Sequence, residues 1–308
     1  MRRSYTLIAI LSTVLSLATV SAGAQGIRHY WLNNQVLYNP AMTGAGEDVV
    51  GSLIFNQQQA TFPGAPRTLL AQANGRLGYT SSSLGGAISY EEYGVLKNYS
   101  ATLSYSYGIK LKKGRRLMLG LSGSFGVIQE NGSALTTTFN GDDIFKLNTT
   151  AYQVNVAVGA AYVTKNFYVS FSVPKLVHNA YDYAVAKNRY SLEKFNFNIM
   201  AGYDLKTRND FHFMPSFMIR SDKQERFNAD INLNFKYKEV FWFGPYYRVN
   251  AAFGFILGVG ITKYVQLSYA GELQQTNFRN SSYGNHEVVL GFKIPKFNTR
   301  IAQSPRYF

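Results

Sequence analysis

Few residues in this chain have the types and spacing that acid/base, nucleophilic or metal chemistry needs. Its four histidines stand at positions 29, 178, 212 and 286. None belongs to the His-Glu-x-x-His pattern that places two imidazoles one helical turn apart for zinc. No Gly-x-Ser-x-Gly elbow or Gly-x-x-x-x-Gly-Lys phosphate cradle occurs either. His286 and Glu287 are neighbours, but successive residues of a strand face opposite sides, so they do not form a base with its orienting acid. Asp142-Asp143 lacks the alternating oxygen ligands and terminal Glu of a calcium loop. Cysteine is absent, which excludes disulfides, thiolate zinc, a Cys nucleophile and a lipidated Cys. The residues therefore predict no enzyme, no cofactor and no bound metal.

What surrounds these scattered groups is alternation. From Tyr99 the odd positions read Tyr99, Ala101, Leu103, Tyr105, Tyr107, Ile109 and Leu111, while the even ones read Ser100, Thr102, Ser104, Ser106, Gly108, Lys110 and Lys112. Period two sends these to opposite faces of a strand, one apolar and one small or polar. The pattern recurs over residues 152–162, 195–205 and 227–237. Strands are expected near 50–57, 68–79, 84–92, 98–109, 116–129, 151–163, 166–173, 194–206, 210–220, 226–237, 240–248, 251–262, 264–274 and 285–294. Soluble sandwiches alternate too, but their strands run to about 5–6 residues. Segments of about 10–12 residues with aromatic ends predict an all-β fold: a transmembrane antiparallel β-barrel of about 14 strands with a short N-terminal pre-barrel segment.

Composition agrees. Charged residues make up 16% and aromatics 15%, with 46% hydrophobic residues; a disordered chain has low hydrophobicity, so disorder is excluded. Residues 1–24 read as a signal peptide, with Arg2 and Arg3 before an apolar run over 7–20 and a small-residue site at Ala22-Gly23-Ala24. The expected organisation is then signal peptide 1–24, pre-barrel segment 25–48, transmembrane barrel 49–294 and tail 295–308.

The connections fall into two sets. One is short, at 80–83, 110–115, 164–166, 207–209, 238–239 and 263; the other includes the long stretches 57–67, 130–150, 174–193 and 274–284, together with two short exceptions at 221–225 and 248–251. Outer-membrane barrels keep short turns in the periplasm and longer loops outside. The expected location is thus the outer membrane of a Gram-negative bacterium, with both termini periplasmic. The same topology partitions charge. The net charge is +14, and Lys110, Lys112, Lys113, Arg115, Arg116, Lys165, Lys206, Arg208, Lys236, Lys238, Lys263, Lys296, Arg300 and Arg306 gather at the short-turn side. Two partners suit such a rim, an acidic periplasmic protein and the anionic headgroups of outer-membrane lipid. Nucleic acid does not, because the cations sit at separate turns and form no continuous basic-aromatic groove. No small-molecule substrate is indicated.

Several segments together resemble the PorP/SprF family of outer-membrane proteins associated with type IX secretion in Bacteroidetes. Leu37-Tyr38-Asn39-Pro40-Ala41-Met42-Thr43-Gly44 is similar to that family's N-terminal signature. Further matches are Phe62-Pro63-Gly64-Ala65-Pro66-Arg67-Thr68, Leu84-Gly85-Gly86, and the run from Phe167 through Val173-Pro174-Lys175-Leu176. Met214-Pro215-Ser216-Phe217, Phe241-Trp242-Phe243-Gly244 through Tyr247-Arg248, and Gly284-Asn285-His286-Glu287 complete the set. The resemblance implies a role in protein secretion or gliding motility, by docking periplasmic ring proteins or by anchoring exported cargo or adhesins at the surface. The alternative from another class is a passive porin-like channel, motivated by the polar inner faces.

Candidate partner-binding residues follow. Asn39, Pro40 and Ala41 lie in an aromatic pre-barrel stretch that is either a lumen plug or partner strap, or a segment packed under the barrel wall for stability. Asn39-Pro40 is expected to start a turn, since Pro fixes its own φ and restrains the residue before it. Gly64, Ala65 and Pro66 read first as a turn and second as a recognition epitope. Lys112, Lys113, Arg115 and Arg116 are the densest part of the basic rim. Of His286 and Glu287, one is expected to face the lumen beside a polar partner.

Overall fold

A computed structural model describes residues 31, 34–46, 48–62, 64–78, 80–132, 148–182, 187–192, 196–207, 209–221, 227–238, 240–249, 251–274 and 284–295. The expected signal peptide, the first residues of the pre-barrel segment, His29, Pro63, Asp142, Asp143, Arg208 and residues 296–308 of the tail lie outside them.

In chain order the strands are β1 Val49–Gln57, β2 Arg67–Arg76, β3 Ser82–Tyr93, β4 Leu96–Lys110, β5 Arg116–Asn131, β6 Asn148–Val163, β7 Phe167–Val173, β8 Val177–Asp182 and β9 Lys187–Leu192. They continue with β10 Asn198–Tyr203, β11 Leu205–Lys206, β12 Phe211–Ser221, β13 Phe227–Tyr237, β14 Phe241–Arg248, β15 Ala252–Gly260, β16 Val265–Gln274 and β17 Asn285–Ile294. Sequential neighbours pair from β1 to β7, β7 pairs with β10, β10 with β12, and β12 onward runs to β17, which pairs back with β1. All of these pairings are antiparallel. β10 and β11 both pair with β12 and make one wall strand, so the wall is a closed barrel of fourteen strands.

Two expectations need correction. The strand expected over 194–206 is interrupted at Asp204, whose N–H donates to the Asn166 carbonyl at 2.7 Å and whose carboxylate bonds His212 Nδ1 at 2.8 Å. The connection 174–193, read as loop, contains the hairpin β8–β9. Its sequence carries no period-two alternation, so nothing local announced it.

Alternation produces the wall. On β4, Tyr99, Leu103, Tyr105 and Tyr107 point outward, Leu103 with 76% exposure, while Ser104 and Ser106 are buried inside. Leu, Phe, Val and Tyr stand exposed in the same way on β1, β5, β6, β15 and β17. A soluble monomer rarely tolerates an apolar patch beyond a few hundred Å², whereas lipid solvates this surface without cost. Closure then satisfies the backbone, since a barrel leaves no sheet edge in hydrocarbon. No helix among the described residues is long and apolar enough to cross a membrane, which says nothing about strands.

Barrel diameter grows with strand number. About eight strands give an interior that side chains fill, and 16 to 18 leave an aqueous channel. Fourteen strands lined by Ser, Asn and Gly therefore need more than side chains to close the inside. One side of the lumen is filled by Ile54, Leu70, Trp242, Tyr246, Ile256, Ala270 and Val289. The Trp242 ring lies flat over β15, where a Cβ on Gly258 would sit 2.0 Å from it. Gly258→Ala is expected to destabilise the barrel by about 1–3 kcal/mol through overpacking. Unfolding followed by tryptophan fluorescence in detergent checks this, and an unchanged midpoint refutes it.

Candidate functional site

The other side of the lumen is filled by the pre-barrel segment. It forms two 3-10 turns, Gln35–Leu37 and Pro40–Met42. Asn39 sets the second, its Oδ1 accepting from the Ala41 N–H at 2.9 Å while Pro40 supplies the fixed φ at the first helical position. The same amide donates to the wall, to the Phe171 carbonyl at 3.1 Å and the Ala160 carbonyl at 3.3 Å. Two glycines make the room. A Cβ on Gly159 would stand 1.9 Å from Asn39 Oδ1, and one on Gly120 would stand 2.1 Å from the Ala41 nitrogen. Met42 and Ala41 then pack with Trp31, Met118, Ala161, Val163, Met200 and Met218.

Wall side chains hold the segment by its backbone. Ser172 and Asn198 donate to the Tyr38 carbonyl at 2.7 and 3.0 Å, and Ser106 donates to that of Thr43 at 2.6 Å. The Gly44 N–H donates to Asn74 Oδ1 at 3.0 Å. Asn34 Oδ1 accepts from Ser52 and Gln72. Contacts thus reach β1, β2, β4, β5, β6, β7 and β10, from inside. Of the two expectations for this stretch, packing under the wall is corrected: the segment is inside the lumen as a plug. Asn39, Pro40 and Ala41 are accordingly buried and unexposed to a partner. Between the plug and β3 to β5 a cavity of about 150 Å³ remains, lined by hydroxyls of Ser89, Ser100, Ser104 and Ser122 among others.

The other candidates divide between the two ends of the barrel. At the loop end, Gly64 has φ +72° and its carbonyl accepts from Gly94 N–H at 3.0 Å, while the Pro66 carbonyl accepts from Gln58 N–H at 2.9 Å. Ala65 is buried. The turn reading of this stretch fits that geometry. At the turn end, Lys112, Lys113 and Arg115 are exposed on the tight connection between β4 and β5. Arg116 is different. Its guanidinium donates to the Ala45 carbonyl and clamps the plug. His286 and Glu287 do face opposite sides. His286 faces outward, with Nδ1 2.6 Å from the Tyr269 hydroxyl, and Glu287 is fully buried in the lumen, accepting from Asn56 at 3.0 Å.

A set of buried charges at the loop end was not singled out from the sequence. Asp230 on β13 accepts from Arg220 at 2.8 Å and from Arg248 Nε at 2.9 Å. Arg248 also reaches Glu272 at 2.9 Å, and Glu272 accepts from the Tyr246 hydroxyl at 3.1 Å and from Asn285 at 2.7 Å. β15 lies between β14 and β16, so these bonds must pass over it. They can because its inward residues there are Ala252 and Gly254, and a Cβ on Gly254 would meet the Tyr246 ring at 2.2 Å. Inward charges on strands with at most one other charged residue were the available signal. Chemically the network is a lock: its carboxylates are taken up by guanidinium, phenol and amide donors, and it presents no nucleophile beside a free base.

The turn end carries the unbalanced charge. Lys110, Lys112, Lys113, Arg115, Lys165, Lys206, Lys238, Lys263 and Lys293 are exposed there. Among the described residues the acids at that end are few; Asp48 pairs with Lys293 at 3.1 Å and Asp204 is engaged with His212.

Comparisons with known proteins agree with this architecture. The toluene transporter TbuX of Ralstonia pickettii superposes with a TM-score of 0.50 at 9% identity, over 84% of this chain and 93% of that one. Omp33 of Acinetobacter baumannii gives 0.47 at 10% identity, over 81% and 99%, and a FadL homologue from Pseudomonas aeruginosa gives 0.49 at 8%, over 85% and 94%. At 9% identity the likeness to TbuX shows the barrel fold alone. No curated protein matches the sequence. The family model for the type IX secretion system membrane protein PorP/SprF matches residues 23–292.

Proposed function

Because the chain belongs to the PorP/SprF family of type IX secretion system membrane proteins, we propose that it works as a sealed, protein-binding accessory of that system in the outer membrane. The observation that carries this reading is the filled lumen. A plug held by wall side chains on seven strands and a buried ionic lock leave the surfaces at the two ends, and not the interior, for function. In this reading the turn end faces the periplasm with both termini, and its exposed cations receive an acidic face of a periplasmic ring protein. The loop end faces outward and holds an exported cargo or adhesin. The polar inner wall motivates the rival reading, a porin-like channel, and the plug argues against it.

Affinity purification from detergent-solubilised outer membrane tests the reading. Recovery of a periplasmic ring protein or a secreted surface protein is the expected result, and recovery of neither would sink it. Ion conductance by the intact chain in a planar bilayer would favour the channel instead.

A narrower prediction concerns the rim. Reversing Lys112, Lys113 and Arg115 to Glu is expected to lower ring-protein capture about tenfold, because steering charges act mainly on association. Insertion of the barrel should be unaffected, as the three side chains are exposed. Equal capture by the variant, measured by pull-down at low and physiological salt, would leave lipid headgroups as the partner of that rim. Arg116→Glu belongs to a different experiment, since Arg116 clamps the plug.

A further inference from the structure

The ring of strand pairing is incomplete at the loop end. β5 pairs with β6 along the whole of residues 148–163, but β7 pairs only with 158–163. β7 stops at Val173 because Pro174 has no N–H to continue the ladder. Its carbonyl accepts instead from Asn155 Nδ2 at 2.8 Å. Residues 148–157 of β6 therefore have no strand paired with them in the ladder on that side among the described residues, in a fold that ordinarily abolishes edges.

Side chains stand in for the missing strand. Asn179 of β8 accepts from the Val154 N–H at 2.9 Å and donates to the Val154 carbonyl at 2.9 Å, as one peptide unit of a neighbouring strand would. Asn188 of β9 accepts from the Tyr152 N–H at 3.1 Å, and the Tyr190 hydroxyl lies 3.4 Å from the Tyr152 carbonyl. The Val156 carbonyl accepts from Leu176 N–H at 3.0 Å. Backbone groups two residues apart are thus each met, at Tyr152 and Val154 by side chains of a hairpin that forms its own separate sheet.

We propose that residues 148–157 of β6 are an acceptor edge for an extended segment of an exported protein, with the hairpin β8–β9 holding that edge in the unoccupied state. This rests on the accessory reading above, whose orientation puts the edge outside the cell. The chemistry defines the occupant. The groups presented at Tyr152, Val154 and Val156 are those of a β-ladder at its two-residue repeat, which only a polypeptide backbone in extended form reproduces. Exchange replaces side-chain amide bonds, which order the hairpin, by regular main-chain bonds. The outward side chains Tyr152, Val154 and Val156, each more than a third exposed, supply contacts for alternate residues of the incoming strand.

The test uses the photo-crosslinking residue p-benzoylphenylalanine in place of Tyr152, Val154 or Val156, one at a time, in the full chain in its own cells. Val169 on the outer face of β7 is the control position. Crosslinks from the three edge positions are expected to fall on one segment of an exported protein, advancing two residues per step. The pair Asn179→Ala and Asn188→Ala is expected to raise the crosslink yield about tenfold, the shift that loss of one or two net hydrogen bonds gives. Tyr190→Phe provides a milder second variant should that pair fail to insert. A ladder onto a second copy of this chain, crosslinks without the two-residue progression, or crosslinks confined to β8–β9 in every variant would each overturn the proposal. Ring proteins that still co-purify in that event would leave the accessory role standing, whereas their loss would remove the reading beneath it.

Discussion

Arg248→Ala is expected to destabilise the barrel by about 3–5 kcal/mol, the cost of stripping a buried charge pair of one partner. Arg248 is 5% exposed and joins Asp230 and Glu272, each 2% exposed. After the change Asp230 retains Arg220, and Glu272 retains the donors Tyr246 and Asn285 but loses the Arg248 guanidinium. Both carboxylates are buried and lose the guanidinium that joined them. Urea unfolding in micelles measures the loss, and a change below about 1 kcal/mol would show that the lock contributes little. The quadruple variant Arg220→Met, Asp230→Asn, Arg248→Met, Glu272→Gln separates the causes. Removing all four charges together is expected to recover most of the stability, since buried ion pairs replaced by neutral groups of similar volume are often near neutral. Failure to recover would mean that Arg248 acts through packing across Ala252 and Gly254 and not through charge.

Removal of the plug is the second large effect. A chain in which residues 1–24, the expected signal peptide, are followed directly by Asp48 lacks the segment that fills one side of the lumen. It loses the bonds from Asn39 to β6 and β7 and those made to Tyr38, Thr43 and Gly44. It is expected to insert, because the wall pairing from Val49 to Ile294 is closed without the plug, and to pass ions in a planar bilayer where the intact chain does not. Absence of conductance in an inserted, folded truncation would assign the seal to the apolar cluster around Trp242 and to the ionic lock. Gly120→Ala offers a graded form of the test, because its Cβ would collide with Pro40 and Ala41. The two tryptophans report the two fillings separately, Trp31 in the plug cluster and Trp242 opposite. A red shift confined to the Trp31 signal is the expected response to Gly120→Ala. Sealing and docking are separable in this scheme, so the truncation should still capture ring proteins through Lys112, Lys113 and Arg115.

The barrel was legible because its evidence is local. A lipid-facing strand needs an apolar residue at every second position, so β4, β6 and β13 declare themselves within a dozen residues each, and the short turns bracket them. The plug was half legible. Asn39-Pro40 announced a turn and the aromatic residues announced burial, but a segment that packs inside a wall and one that packs beneath it have the same composition. The meaning of Gly120 and Gly159 lies in what approaches them, and the approaching residues are Ala41 and Asn39, far away in the chain. His286 and Glu287 were assigned to opposite faces from parity alone, and their partners Tyr269 and Asn56 were beyond reach of it.

The amino-acid sequence by itself determined a membrane-facing exterior, fourteen wall strands and a basic turn end, because period, polarity and charge are properties of neighbouring residues. Only the folded chain shows that the pre-barrel segment packs inside the lumen, that Arg248 reaches Asp230 and Glu272 across a small-residue stretch of β15, and that β6 outruns β7 to leave an edge met by Asn179 and Asn188. Each depends on strand register and on residues tens to more than a hundred positions apart, where the pairing of the whole ring, and no local preference, sets which side chains meet.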